Sequence, residues 1–158
     1  MRLESMKEII SCDMVFEGEL RNKADICCVP FQEKNLEEYR RVYNECFCEM
    51  RRALEVEPVN FYSDYGQMKD KARDTYLHMR QGVLAGAVSC YGNEVDDLFV
   101  NKAFQGQGLG RKLLLWGMNH VREQGGSDII LHVAEWNQIA VKLYLETGFV
   151  IRKKEKVR

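Results

Sequence analysis

Three carboxylates fall within four positions, at Glu94, Asp96 and Asp97, and a glycine-rich hexapeptide, Gln105-Gly106-Gln107-Gly108-Leu109-Gly110, follows shortly after. Clustered acids are candidates for general-base work, because crowding them in a buried place raises at least one pKa. The hexapeptide sits between the apolar run Leu98-Phe99-Val100 and a helical pattern over residues 111–123. Glycines strip the side chains from such a strand-to-helix loop. Its backbone amides can then face an anion at the positive end of the helix. A pyrophosphate suits that arrangement. A P-loop requires Lys followed by Ser or Thr, whereas Lys112 is followed by Leu113. A dinucleotide loop requires a third glycine where Arg111 stands, which disfavours a nucleotide-binding oxidoreductase.

The pattern that does fit is Q/R-x-x-G-x-G/A, met by Gln105, Gly108 and Gly110. About thirty residues later comes Asn137-Gln138-Ile139-Ala140-Val141-Lys142-Leu143-Tyr144-Leu145-Glu146-Thr147-Gly148-Phe149. It meets N-x-x-A-x-x-L/F-Y-x-x-x-G-F at every fixed position. With these two motifs in order, the chain resembles the GNAT N-acetyltransferase superfamily over roughly residues 25–151. The resemblance implies acetyl-CoA as cofactor and acetyl transfer to a primary amine of a small or peptidyl substrate. The transfer would run by direct attack in a ternary complex. A non-catalytic acyl-CoA-binding regulatory module is the alternative; Tyr144 and Asp96 argue against it.

The resemblance also implies roles. Backbone amides of 105–110 would bind the pyrophosphate, with Arg111 adding charge. The backbone of Leu98, Phe99 and Val100 would pair with the pantetheine arm, and an amide of Phe99 or Val100 would face the developing oxyanion. Asn137 would touch the pantetheine while capping its helix. Tyr144 would protonate the thiolate, which a phenol of pKa ~10 can do for a thiolate of pKa ~8.5 or higher. Asp96-Asp97-Leu98-Phe99-Val100 resembles the acidic-pair motif of polyamine-type acetyltransferases, which points to Asp96 as base. Register against other family members points to Glu94, and a water chain is the third reading. Asp97 would help to receive a cationic substrate such as a polyamine, an aminoglycoside or a lysine side chain. Phe61 and Tyr62, with Asp64 and Tyr65 nearby, would wall the acceptor site.

These residues need elements to position them. The pattern predicts strands at 24–31, 74–80, 83–91, 94–100, 128–133 and 150–158, with turns at Gln81-Gly82 and Gly92-Asn93. It predicts helices after Asn35, over part of 61–73, after the glycine loop and after Asn137. The fold class is α+β, the GNAT acyl-CoA N-acyltransferase fold, with a mixed, mostly antiparallel sheet flanked by helices. The family usually ends with two strands, but only nine residues follow Phe149. The last strand is therefore missing or supplied by another segment. Residues 14–20 and a partner chain, as in a homodimer, are the two candidates. Residues 1–23 form an extension outside the resemblance.

The chain has 158 residues, 46% hydrophobic and 30% charged, with a net charge of −1. These values fit one domain over 1–158 and give no basic field for nucleic acid. No apolar run approaches the ~18 residues of a membrane span, and residues 1–10 lack a signal-peptide core, so the cytoplasm is the expected compartment. The six cysteines form no C-x-x-C pair and are expected to be reduced, with no metal site.

Overall fold

The computed structural model describes residues 8–56 and 65–157. Seven strands, β1 (Ile10–Phe16), β2 (Val29–Pro30), β3 (Thr75–Arg80), β4 (Val83–Tyr91), β5 (Glu94–Val100), β6 (Ile130–Ala134) and β7 (Phe149–Lys156), form one sheet in the order β2-β3-β4-β5-β6-β1-β7. Every neighbouring pair is antiparallel except β5 and β6. Helix α1 (Leu36–Ala53) packs on β4 and β5, as does α3 (Leu109–Glu123), while α4 (Gln138–Thr147) contacts β7. A short α2 covers Tyr65–Met68.

Alternation along the strands separates two cores. Val88 packs with Leu114, Met118 and Val121 of α3, whereas its neighbour Ala87 packs with Tyr39, Val42 and Tyr43 of α1. Successive strand residues face opposite sides, so α1 and α3 lie on opposite faces of the sheet. Gly117 permits the close approach of α3, since a Cβ there would lie 3.1 Å from Val88. The hairpin at Gln81-Gly82 uses positive φ at both residues (51° and 78°), the conformation that matches strand twist.

The place left open at the end of the sheet is filled from the N-terminal side. Strand β1 lies between β6 and β7, pairing Asp13 with His132 on one edge and Phe16 with Phe149 on the other. The supplied strand is Ile10–Phe16 rather than residues 14–20. Its Cys12, Met14 and Phe16 join the α3-side core.

Three sequence expectations need correction. The predicted strand at 24–31 shrinks to Val29–Pro30. The Ala24 amide donates instead to the Asn119 side chain, and the Cys27 carbonyl bonds the His78 ring, so these groups are spent outside any ladder. Asn35 does not cap α1 through its side chain. Its Oδ1 accepts from the Gln32 amide around a 3-10 turn, Glu33–Asn35. The expected helix within 61–73 is reduced, among the described residues, to α2 and a 3-10 turn at Ala72–Asp74.

Gly86 is where β4, β5 and α3 come closest. A Cβ there would lie 2.5 Å from Leu113 Cδ1 and 2.9 Å from the Phe99 carbonyl oxygen. Because the second contact is backbone, Gly86→Ala is expected to cost about 1–3 kcal/mol. Thermal denaturation checks this: the midpoint should fall by several degrees, and an unchanged midpoint would refute the close approach.

Candidate active site

Parallel strands β5 and β6 pair at one position only, Glu94 with Ile130. Beyond it the two strands diverge. A register shift in the β4–β5 ladder sets Ser89 against Asp96 but Ala87 against Phe99, so β5 carries an extra residue. Asp97 within this bulge has φ 46°. The bulge resets side-chain direction: Val95 faces the α3-side core, yet Phe99 faces the α1-side core. A regular strand would have placed both on one face.

The divergence opens a cleft of about 620 Å³, walled by Leu98, Phe99 and Val100 of β5 and by Asn137, Ala140, Leu143 and Tyr144 at α4. Gln105, Gly106, Gly108, Leu109 and Gly110 close one end, and Cys46 and Phe47 of α1 contribute to the wall. Asn137 Oδ1 accepts from the Ala140 amide at 3.2 Å, so it caps α4 and lines the cleft together.

Gly106 and Gly108 have φ of 82° and 77°, and a Cβ at either would meet nothing within 4 Å. Glycine is therefore needed for the backbone path, and the space in front of the loop is open. No side chain caps the start of α3. These features suit an anion at a helix N-terminus. Two sequence candidates lie outside the cleft lining. The Gln107 side chain accepts from Arg80 at 3.0 Å, and Arg111 pairs with Glu146 of α4 at 3.0 Å. Arg80 was missed by the sequence reading. It reaches the loop from the end of β3, its guanidinium 5.9 Å from the Phe104 ring centre. The Val100 carbonyl is also engaged, by Gln105 Nε2 at 2.9 Å and the Cys46 thiol at 3.2 Å.

The acids divide by environment. Burial raises the Asp96 pKa to about 6, helped by Asp97 and Glu94 and opposed by the Asp97 amide and Lys71. That amide donates to Asp96 Oδ1 at 2.8 Å. Asp97 is held within the bulge: the Tyr91 hydroxyl donates to it at 3.3 Å and Lys71 Nζ lies at 3.6 Å. Burial raises Tyr144 to about 12, with the Asp96 charge as the second cause. The phenol thus stays protonated through the neutral range, within reach of the Asp96 charge. Glu94 lies 3.6 Å from His132 Nε2, and His132 Nδ1 lies 2.7 Å from Asp13 Oδ1. His132 and Asp13 carried no local sequence signal; only strand pairing reveals them. Phe61 and Tyr62, with Asp64, lie outside the described residues. Among the described residues no group of three or more His, Cys, Asp or Glu side chains is arranged to hold a metal ion. No described helix is long and apolar enough to cross a membrane.

The profile of the Acetyltransferase (GNAT) family matches residues 36–149. A mycothiol acetyltransferase from Streptosporangium roseum is 45% identical over 56 residues, 35% of this chain and 17% of that protein. One from Paenarthrobacter aurescens is 37% identical over 76 residues, 48% of this chain and 22% of its own length. The chain thus spans less than a quarter of these curated relatives. Among solved structures, an acetyltransferase from the GNAT family of Colwellia psychrerythraea superposes with a TM-score of 0.71 at 18% identity, covering 91% of this chain and 53% of that one. The yncA protein from Salmonella typhimurium, solved with its cofactor acetyl-CoA, superposes with a TM-score of 0.60 at 18% identity and 82% coverage of both chains.

The raised pKa of Asp96 has a signed consequence for stability. Between about pH 4 and pH 6 the folded protein holds a proton on Asp96 that the unfolded chain has released, so this residue's contribution to stability falls as pH rises. Asp96→Asn removes that loss. The variant is expected to gain on the parent protein across this window, by up to about 3 kcal/mol, and then hold a constant advantage above it. Paired denaturation curves at pH 4, 5, 6 and 7.5 check this. A difference that does not vary with pH would refute it.

Proposed function

The chain belongs to the acetyltransferase (GNAT) family, and from that membership we propose that it transfers the acetyl group of acetyl-CoA directly to a primary amine in a ternary complex. The observation that carries this reading is the wedge between β5 and β6, where the open glycine loop, a strand edge and Tyr144 line one cleft, and where the Asp96 charge acts on Tyr144. The residues present fit the cofactor. The loop leaves room for a pyrophosphate at the uncapped α3 N-terminus. β6 supplies no ladder partner to β5 beyond Ile130, so the facing edge of Leu98, Phe99 and Val100, apart from the Val100 carbonyl held by Gln105 and Cys46, can pair with an extended arm. Acetyl-CoA, when bound, supplies an activated acyl group as a thioester.

The chain's own residues then have four tasks. The 105–110 loop holds the anionic end, with Arg80 and Lys102 as nearby cations. Asp96 removes a proton from the incoming ammonium; a carboxyl of pKa about 6 is ionised at neutral pH yet basic for its type. A backbone amide at Phe99 or Val100 stabilises the developing oxyanion. Tyr144, protonated and half-buried in the cleft, donates to the departing sulfur.

The acceptor class follows from charge. Glu94 and Asp96 lie at the acceptor end, and Asp97 is already partnered by Lys71 and Tyr91. Asp97 therefore shapes the bulge rather than meeting the substrate. Two remaining carboxylates favour a cationic amine, small or peptidyl. The likeness to proteins named mycothiol acetyltransferase spans under half of this chain and does not carry their acceptor over to it.

Calorimetric titration with acetyl-CoA, with NADH as control, tests the donor site. Acetyl-CoA is expected to bind and NADH to stay silent; the reverse would favour an oxidoreductase. Turnover follows from an amine panel that begins with polyamines. Tyr144→Phe is expected to keep acetyl-CoA affinity while lowering kcat by about 10²-fold or more. Unchanged turnover would remove its acid role.

A further inference from the structure

Acetylating an ammonium releases one net proton. The nitrogen loses two protons on its way to an amide, the departing thiolate takes one, and the other must leave the site. Asp96 can accept it but sits in a partly buried bulge whose charged neighbours are Asp97, Glu94 and Lys71. A route outward is needed for each turnover.

Strand pairing builds one. In the parallel register Glu94 lies opposite Ile130, which places His132 of β6 across the wedge from Asp96. Leu131 and Val133 pack towards the α3-side core, so His132 projects from the other face of the sheet. There Asp13 of β1, its direct cross-strand partner, holds Nδ1 at 2.7 Å. The opposite ring nitrogen, Nε2, is left towards Glu94 Oε1 at 3.6 Å. The His132 side chain is 46% exposed, whereas those of Glu94 and Asp13 are 26% and 25% exposed. The series therefore runs from two partly buried acids to an imidazole in contact with water.

We infer that His132, oriented by Asp13, is the proton exit of this site, receiving through Glu94 the proton that Asp96 takes from the acceptor and giving it to solvent. This rests on the transferase reading above. In balanced form, the ammonium N–H bond breaks to the Asp96 carboxylate. Asp96 then passes its proton through a bridging water to Glu94, Glu94 passes it across the 3.6 Å gap to His132 Nε2, and the imidazolium returns it to solvent. Asp13 keeps its charge and acts as a positioning residue. It fixes which nitrogen faces Glu94, as a carboxylate does for a histidine in other proton-transfer sites. The charged groups around the imidazole are Asp13 from β1 and Glu94 and Asp96 from β5. Behind Asp13 stands Lys153 of β7, itself paired with Glu155. Burial lowers the His132 pKa, but the Asp13 hydrogen bond and the charges of Glu94, Asp13 and Asp96 outweigh it and leave a net rise. Only neutral imidazole can accept, so this histidine sets an acidic limb: turnover climbs as pH rises through its pKa.

The test has a spectroscopic arm and a kinetic arm, both on the full chain. Nitrogen-15 NMR follows the His132 ring through a pH titration in the parent protein, Glu94→Gln and Asp13→Asn. Both variants are expected to lower its pKa, and Asp13→Asn to scramble the tautomer. A titration unmoved by Glu94→Gln overturns the route, whether or not an acceptor has been found. On an amine that the parent acetylates, His132→Ala and the size-matched His132→Gln are expected to lower kcat at least about tenfold with acetyl-CoA affinity unchanged. Added imidazole should restore His132→Ala, and Asp13→Asn should shift the acidic limb to lower pH. Parental kcat and pH profile in both His132 variants would also overturn it. Loss of acetyl-CoA binding in the parent protein would instead strike the transferase reading.

Discussion

The site depends on two parallel strands that stop pairing after a single residue pair. Glu94 and Ile130 hold β5 to β6 at one end, and from there the strands part. In an ordinary parallel pair the ladder would continue and both strand edges would be consumed. Here the edge of Leu98, Phe99 and Val100 is left facing a cleft, and α4 supplies the opposite wall. The extra residue in β5 works with this divergence. It turns Phe99 into the α1-side core, and it lets the Asp97 amide and side chain satisfy groups that a flat strand would leave to a neighbour.

Charge placement follows from that geometry. Three acids so close together would repel if all were equally buried and unpaired. The fold separates them by partner. Asp97 takes Lys71 and the Tyr91 hydroxyl, Glu94 faces His132, and Asp96 keeps only a backbone amide as its hydrogen-bond donor. Burial of this least compensated acid raises its pKa, and its charge in turn raises that of Tyr144.

The strand β1 ties the periphery to this centre. It fills the gap between β6 and β7 and sends Cys12, Met14 and Phe16 into the α3-side core. The alternate position, Asp13, lands on the site face beside His132. The segment after it is fastened to α3 by Asn119, which bonds Asn22 and Ala24, and by the Lys23–Glu123 ion pair. One strand thus contributes both to stability and to the electrostatics of the acceptor side.

By itself the sequence determined whatever depends on neighbours along the chain. The glycine loop, the Gln81-Gly82 turn, the Asn137 cap and the helix that carries Tyr144 were legible, because turns, caps and helical faces are set within a few residues of themselves. So was the placement of Leu98, Phe99 and Val100 ahead of the loop. Tertiary structure decided what depends on pairing. Asp13 and His132 are 119 positions apart, and nothing local marks either. Arg111 read as a charge beside an anion, yet a distant partner, Glu146, engages its side chain, and Arg80 reaches the loop through the Gln107 side chain. The strand predicted at 24–31 failed for the same reason, since its backbone groups found side chains on other elements. Sheet register joins residues that sequence distance keeps separate, and periodicity reports which face a residue takes but not what it meets there.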